Sequence, residues 1–315
     1  MDRRRFLAIA GGGLLAKSAA AIGMPRIEAT CPGGLPDIRS VPPDLIVPDA
    51  EDGPPRAGRR VRRTLSEYQG TEVHHTLYLP TDWRPGRRYP VLIEYPGNGP
   101  YTSPCGDVSS GEVEGCKLGY GISGGRGFVW AALPCVDPSH RRNQLWWWGD
   151  VDATLAYCRA AVKQICEQFG GDSAAVILCG FSRGAIACNF IGLHDDAIAG
   201  LWLGFVASSH YDGVRRWDWA GSDRASAEKR LARLRGRATF IAQEVSTQDI
   251  QDYLRSTGAR DPFTFQTLHF GNHTDAWVLR DIPERRALRR WVADVLLRRP
   301  GGHAGPSRQG SAARL

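Results

Sequence analysis

The chain is predicted to be an α/β protein whose mostly parallel central sheet is covered by helices on both faces. Two observations predict this. Strand-like and helix-like segments alternate, the order that right-handed crossovers between parallel strands produce. In addition, Ala175-Val176-Ile177-Leu178-Cys179 is a continuous apolar run, as expected of a central strand buried on both faces, since a solvent-facing side would impose polar alternation. With 315 residues, 42% hydrophobic and 23% charged, the composition is that of a globular protein with room for one large domain.

Residues 1–29 read as a signal peptide. Asp2-Arg3-Arg4-Arg5-Phe6-Leu7 precedes an apolar Gly/Ala-rich run over 7–16 and then Ser18-Ala19-Ala20-Ala21. Two arginines, a spacer and Phe-Leu resemble the twin-arginine signal, which implies export of a folded protein to the periplasm or beyond. The run is too short to remain as a membrane anchor. Residues 30–60 carry Pro32, Pro36, Pro42-Pro43, Pro48 and Pro54-Pro55 and are expected to form an extended lead-in outside the core. The folded domain is expected over 61–299, with a Gly/Ser/Arg-rich disordered tail over 300–315.

Within the domain, strands are expected over 73–79, 89–95 and 128–133. A helix over 151–169 follows, with Val151, Leu155, Val162 and Ile165 at helical spacing and Gly170-Gly171 closing it. After the apolar run come a helix over 183–193, strands over 201–207, 238–242 and 263–270, and helices over 246–256 and 283–297.

Several function classes are disfavoured. The net charge of +7 derives from arginines spread along the whole chain, unaccompanied by any zinc-finger, RNA-recognition or homeodomain pattern, so no nucleic-acid partner is expected. No Cys-x-x-Cys occurs and no His/Cys group has zinc-ligand spacing, so no metal is expected. Eight cysteines in an exported chain permit disulfides. Cys105 and Cys116, bracketing a Gly-rich loop, are the first pair expected, and Cys179 and Cys188 are expected to serve as small buried hydrophobes.

The chemistry centres on Gly180-Phe181-Ser182-Arg183-Gly184, directly after the apolar strand and before a helix. The glycines allow a turn too tight for side chains, which pushes the Ser182 hydroxyl out above the sheet, and the following helix points its positive end at it. Trp146-Trp147-Trp148 cannot all face one way; some must be core, and Trp147 is the candidate for a wall that stacks on sugars or aryl groups.

With these motifs, residues from about 61 to 298 resemble the α/β-hydrolase superfamily, especially its secreted esterase and prolyl-oligopeptidase-like branches. The resemblance implies a serine nucleophile, Ser182, with a His base in the loop after the last strand, which His273 in Gly271-Asn272-His273-Thr274 matches; His269, within the strand, is the rival. It implies an acid just beyond the preceding strand. Glu244 is favoured there, with Asp212 and Asp249 as alternatives, although Ser246 and Asp249 also have capping-box spacing. It implies an oxyanion hole from the N–H of Arg183 and from the turn Pro96-Gly97-Asn98-Gly99, where Asn98 is chosen.

The expected function is hydrolysis of a carboxylic ester, on a polysaccharide or a phenolic acid, through an acyl-enzyme and without cofactor. The alternatives are an inactive hydrolase-fold binding protein and a prolyl-oligopeptidase-like peptidase, the latter weakened because a propeller domain has no room.

Overall fold

The computed structural model describes residues 31 and 34–299. The expected signal peptide and tail lie outside the described residues. The strands are β1 (Ala50–Glu51), β2 (Arg60–Arg63), β3 (His75–Tyr78), β4 (Tyr89–Tyr95), β5 (Tyr101–Thr102), β6 (Val108–Ser109), β7 (Val129–Ala132), β8 (Cys135–Val136), β9 (Asn143–Gln144), β10 (Gly171–Phe181), β11 (Gly204–Ser208), β12 (Ala238–Glu244) and β13 (Phe263–Leu268). The helices are α1 (Leu118–Ser123), α2 (Val151–Gln168), α3 (Arg183–Phe190), α4 (Asp196–Ala199), α5 (Arg224–Leu231), α6 (Gln248–Thr257) and α7 (Pro283–Leu297).

Among the described residues, nine strands form one sheet in the order β1-β2-β3-β7-β4-β10-β11-β12-β13. Only β3 runs antiparallel to its neighbours, β2 and β7; the remaining pairs are parallel. Alternate residues of each strand feed two apolar cores. Val91, Ile93, Val176 and Leu178 face α2 and α3, while Leu92, Ile177 and Cys179 face α1 and α7. β4 and α7 have the predicted bounds. The central strand is longer than its apolar run, because Gly171 opens β10 where it was expected to close the preceding helix.

The lead-in departs from expectation. Ile38 is buried within the core, and β1 joins the sheet edge. Cys31 bonds to Cys105, not Cys116 to Cys105, and Cys116 is a buried free thiol. The paired cysteines lie 74 positions apart in sequence, so no local pattern marks them. Cys179 and Cys188 are buried free thiols.

α1 was not anticipated, since Leu-Gly-Tyr-Gly-Ile-Ser reads as a loop. Its first N–H groups are satisfied from outside: buried Glu94 of β4 accepts from the Lys117, Leu118 and Gly119 N–H groups and from Trp130 Nε1, at 2.9–3.1 Å. Tertiary structure thus supplies the cap that the sequence lacks. α5 was also missed, because its Arg/Glu/Lys-rich sequence buries only Ala227, Arg230 and Leu231.

His75 of β3 is fully buried, with Nδ1 2.9 Å from the Tyr157 hydroxyl. Burial, with lesser contributions from Arg63 and His74, lowers its pKa to about 3. Its pKa is depressed relative to the unfolded chain, so its stability contribution is complete above about pH 6.5 and is lost as the pH falls from there towards 3, where the unfolded chain alone takes up the proton. Between about pH 7.5 and about pH 5, wild type is expected to lose about 2 kcal/mol more than His75→Gln, measured by urea unfolding at each pH.

Candidate active site

Ser182 caps α3 from the end of β10 with φ 54° and ψ −113°. A non-glycine residue rarely adopts this conformation, and it persists only when its surroundings over-determine it. They do so here. A Cβ on Gly184 would lie 1.9 Å from the Tyr95 carbonyl oxygen, and one on Gly180 would lie 2.1 Å from the Gly184 carbonyl oxygen. Only glycine lets helix and strand cross this closely. The Ser182 N–H donates to the Ser208 carbonyl at 2.8 Å, fastening the turn to β11.

The structure brings Ser182, His273 and Glu244 together. His273 Nε2 lies 3.0 Å from Ser182 Oγ, and His273 Nδ1 lies 3.1 Å from Glu244 Oε1. Glu244 is the last residue of β12, so no loop carries it to the histidine; the extra methylene of Glu over Asp supplies reach. Val245 follows at φ 65°, which turns the chain away at once. Burial pushes the Glu244 pKa up, but hydrogen bonds from Ser209 Oγ and His273 more than offset this and hold it below the usual carboxylate value.

The alternatives lie elsewhere. Asp212 is buried and paired with Arg230, Oδ2 to Nε at 2.8 Å. Asp249 lines a neighbouring cavity of about 210 Å³ beside Glu244. The anticipated capping box does not form: Thr247 is the N-cap of α6 but its hydroxyl accepts from Gln251 Nε2 and caps no backbone N–H, and Ser246 Oγ accepts from the Gln248 N–H instead. His269 stands exposed just past β13.

The His273 loop is held by the lead-in. Asn272 Oδ1 accepts from the Ile38 N–H at 2.7 Å, and Nδ2 donates to Asp37 and Asp107. The Gly271 N–H donates to the Pro36 carbonyl at 3.2 Å. A Cβ on Gly271 would come within 2.6 Å of Cys31 Cβ, so the disulfide-linked segment packs directly on this loop.

Arg183, the residue after Ser182, has its N–H at the first position of α3, where no intrahelical acceptor exists. Its side chain is buried, and among the described residues no carboxylate pairs with it. The guanidinium instead donates to the carbonyls of Pro96, Gly111, Gln144 and Trp147. Asn98 accepts at Oδ1 from the Trp147 N–H at 2.8 Å, which leaves its Nδ2 and backbone N–H as the donors it can present.

Ser182, His273, Asn98, Arg183 and Trp147 line one cleft of about 360 Å³. Trp146 and Trp217 share its wall with Trp147, while Trp148 is buried and stacks on Phe190 at 4.4 Å. Sequence reading missed His210, Arg215 and Trp217, which line the same cleft. Their signal was position: they follow the C-terminal end of β11, where sites gather in open parallel sheets. The His210 ring lies 5.4 Å from that of His273; burial, then the His273 charge, lowers its pKa to about 4, so it is neutral at physiological pH. Among the described residues, no group of three or more His, Cys, Asp or Glu could hold a metal ion.

No protein-family model and no curated protein sequence matches the chain. Solved structures do. The chain superposes on Thermogutta terrifontis esterase 2 phosphorylated by paraoxon with a TM-score of 0.51 at 15% identity, covering 78% of this chain and 96% of the esterase. For a thermostable esterase the values are 0.47 and 13%, over 75% of this chain and 62% of that one. For Porphyromonas gingivalis dipeptidyl peptidase 4 they are 0.48 and 17%, over 76% of this chain. The chain thus spans 62% of the first of these two proteins and 36% of the second. Sheet order, turn geometry and the likeness to esterase 2 agree on the architecture: this chain has the α/β-hydrolase fold.

Proposed function

We propose that the protein is a serine hydrolase that cleaves a carboxylic ester through an acyl-enzyme. The observation that carries this reading is the relay from Ser182 Oγ through His273 to Glu244, with links of 3.0 and 3.1 Å, at a strained turn that exposes the hydroxyl. Serine is a weak nucleophile near neutral pH and needs such a base. His273 Nε2 takes the Ser182 proton as Oγ bonds to the acyl carbon. Glu244 holds the tautomer with hydrogen on Nδ1 and balances the imidazolium. The N–H of Arg183 and a donor of Asn98 meet the oxyanion, at about 3 kcal/mol of transition-state stabilisation each. As the tetrahedral intermediate collapses, the imidazolium returns its proton to the departing alcohol. Water, deprotonated by His273, then attacks the acyl carbon; the acyl–Oγ bond breaks, the imidazolium returns its proton to Ser182 Oγ, and the acid leaves.

The tryptophan wall of the cleft supports an alcohol or acyl group bearing a sugar or aromatic ring, hence an ester of a polysaccharide or a phenolic acid. We also propose export: the Arg3-Arg4 signal supports it, and the Cys31–Cys105 disulfide suits an oxidising compartment. Among the described residues, no helix is long and apolar enough to cross a membrane.

A fluorophosphonate probe is expected to add a single adduct mass to the wild-type protein and nothing to Ser182→Ala, read by intact-mass spectrometry. A folded wild type that stays unlabelled would sink the hydrolase reading and favour a binding protein. Glu244→Gln is expected to lower kcat by about 10³-fold or more with the fold intact. Asp212→Ala, which strands Arg230 in the core, is expected to do the reverse. It should lower the unfolding free energy by about 3–5 kcal/mol in urea while Ser182 labelling persists in native buffer.

A further inference from the structure

Trp147 sits at φ 52°, a left-handed conformation that a bulky side chain avoids and that persists only where neighbours hold it. Both backbone polar groups of the residue are held. Its N–H donates to Asn98 Oδ1 at 2.8 Å, and its carbonyl accepts from Arg183 Nη1 at 2.7 Å. The approach to it is tied down by the same two segments. The Gly99 N–H donates to the Leu145 carbonyl at 3.0 Å, and Arg183 Nη1 also reaches the Gln144 carbonyl at 3.2 Å. Held this way, the Trp147 ring packs 4.2 Å from that of Trp219 and 5.2 Å from that of Trp217, centre to centre.

We propose that the side chains of Asn98 and Arg183 are positioning residues for substrate selection. They clamp Trp147 in its strained conformation, so that Trp147 and Trp217, their planes inclined at 54°, form a fixed aromatic platform for a sugar or aryl ring carried by the ester. A Trp147 released to ordinary φ would swing its indole off this platform. One pair of residues then has two tasks: backbone and carboxamide N–H groups face the reacting carbonyl, while the guanidinium and the carboxamide oxygen hold the wall. Catalytic and recognition geometry are thereby locked to each other. The proposal rests on the serine hydrolase reading for its substrate, and on the clamp geometry for its structure.

The test compares wild type with Trp147→Ala, Asn98→Leu and Asn98→Asp, whose carboxylate still accepts from the Trp147 N–H. Three substrates share one acyl group: phenyl acetate, an acetylated glucoside and ethyl acetate. Trp147→Ala and Asn98→Leu are expected to raise KM about tenfold for a ring-bearing acetate but not for ethyl acetate. Whichever ring-bearing acetate responds identifies aryl or sugar as the ligand. Any fall in kcat for Asn98→Leu should be equal on all three, as loss of an oxyanion donor requires. Asn98→Asp is expected to keep the wild-type ratio of KM values. Circular dichroism provides a second readout: exciton coupling of the Trp147–Trp219 pair should vanish in Trp147→Ala and Asn98→Leu and survive in Asn98→Asp. An Asn98→Leu protein that keeps both its KM ratio and its exciton signal would overturn the clamp. A wild type inert towards all three acetates and unlabelled by the fluorophosphonate would overturn the hydrolase reading instead, and the circular dichroism would still decide the clamp.

Discussion

The close crossing of β10 and α3 at Ser182 is the constraint on which the rest of the site depends. Packing is so close that even a methyl group on Gly180 would collide with the Gly184 carbonyl of α3, and one on Gly184 with the Tyr95 carbonyl of neighbouring β4. That crossing forces Ser182 to φ 54°, a conformation costing about 1–3 kcal/mol, which the parallel neighbours β4 and β11 sustain through their packing and hydrogen bonds. A nucleophile so placed cannot relax into the sheet. Its hydroxyl stands where the His273 loop can reach it, and the N–H of Arg183 stays unsatisfied and open.

The second determinant is the buried Arg183 guanidinium. A cation in the interior ordinarily requires a carboxylate, because desolvation costs several kcal/mol. Here four backbone carbonyls from three separate segments supply the negative ends of dipoles instead. A carboxylate partner would have bound Arg183 to one place; carbonyls bind three loops to it, namely Pro96, Gly111 and the Gln144–Trp147 stretch. Electrostatic satisfaction and loop assembly are therefore the same set of bonds. Two of these segments line the cleft with Ser182, through Asn98 and through Trp146 and Trp147, so the solvation of one side chain helps to fix the cleft wall.

The base has its own scaffold. Asn272, adjacent to His273, is shared between the lead-in at Asp37 and Ile38 and the loop at Asp107. The Cys31–Cys105 bond joins these same two segments covalently. Trp277, beyond the histidine, donates from Nε1 to Ser208 Oγ at 3.2 Å and anchors the other side of the loop to β11. The imidazole is thus held from both flanks, and the proline-rich stretch before the sheet forms part of the apparatus that orients it.

What could be read from the residues was whatever local periodicity and steric demand encode. The buried strand from Ala175, the amphipathic spacing of α2, the bounds of β4 and α7, and the Gly-x-Ser-x-Gly turn belong to this class, because each leaves its mark on residues within a few positions of one another. Ser182 was legible from its Gly-x-Ser-x-Gly turn, His273 and Glu244 only through the family resemblance, with Asp212 and Asp249 left open beside Glu244, and the structure brings the first three within hydrogen-bond distance. What tertiary structure alone decided involves partners distant in sequence. Cys31 meets Cys105, Asp212 is taken by Arg230, Glu94 caps α1 from another strand, and Trp147 is strained because Asn98 and Arg183 hold it. The physical reason is common to all of these. A propensity is a property of a residue and its chain neighbours, whereas the satisfaction of a buried charge, donor or strained peptide depends on which group the folded chain carries to it.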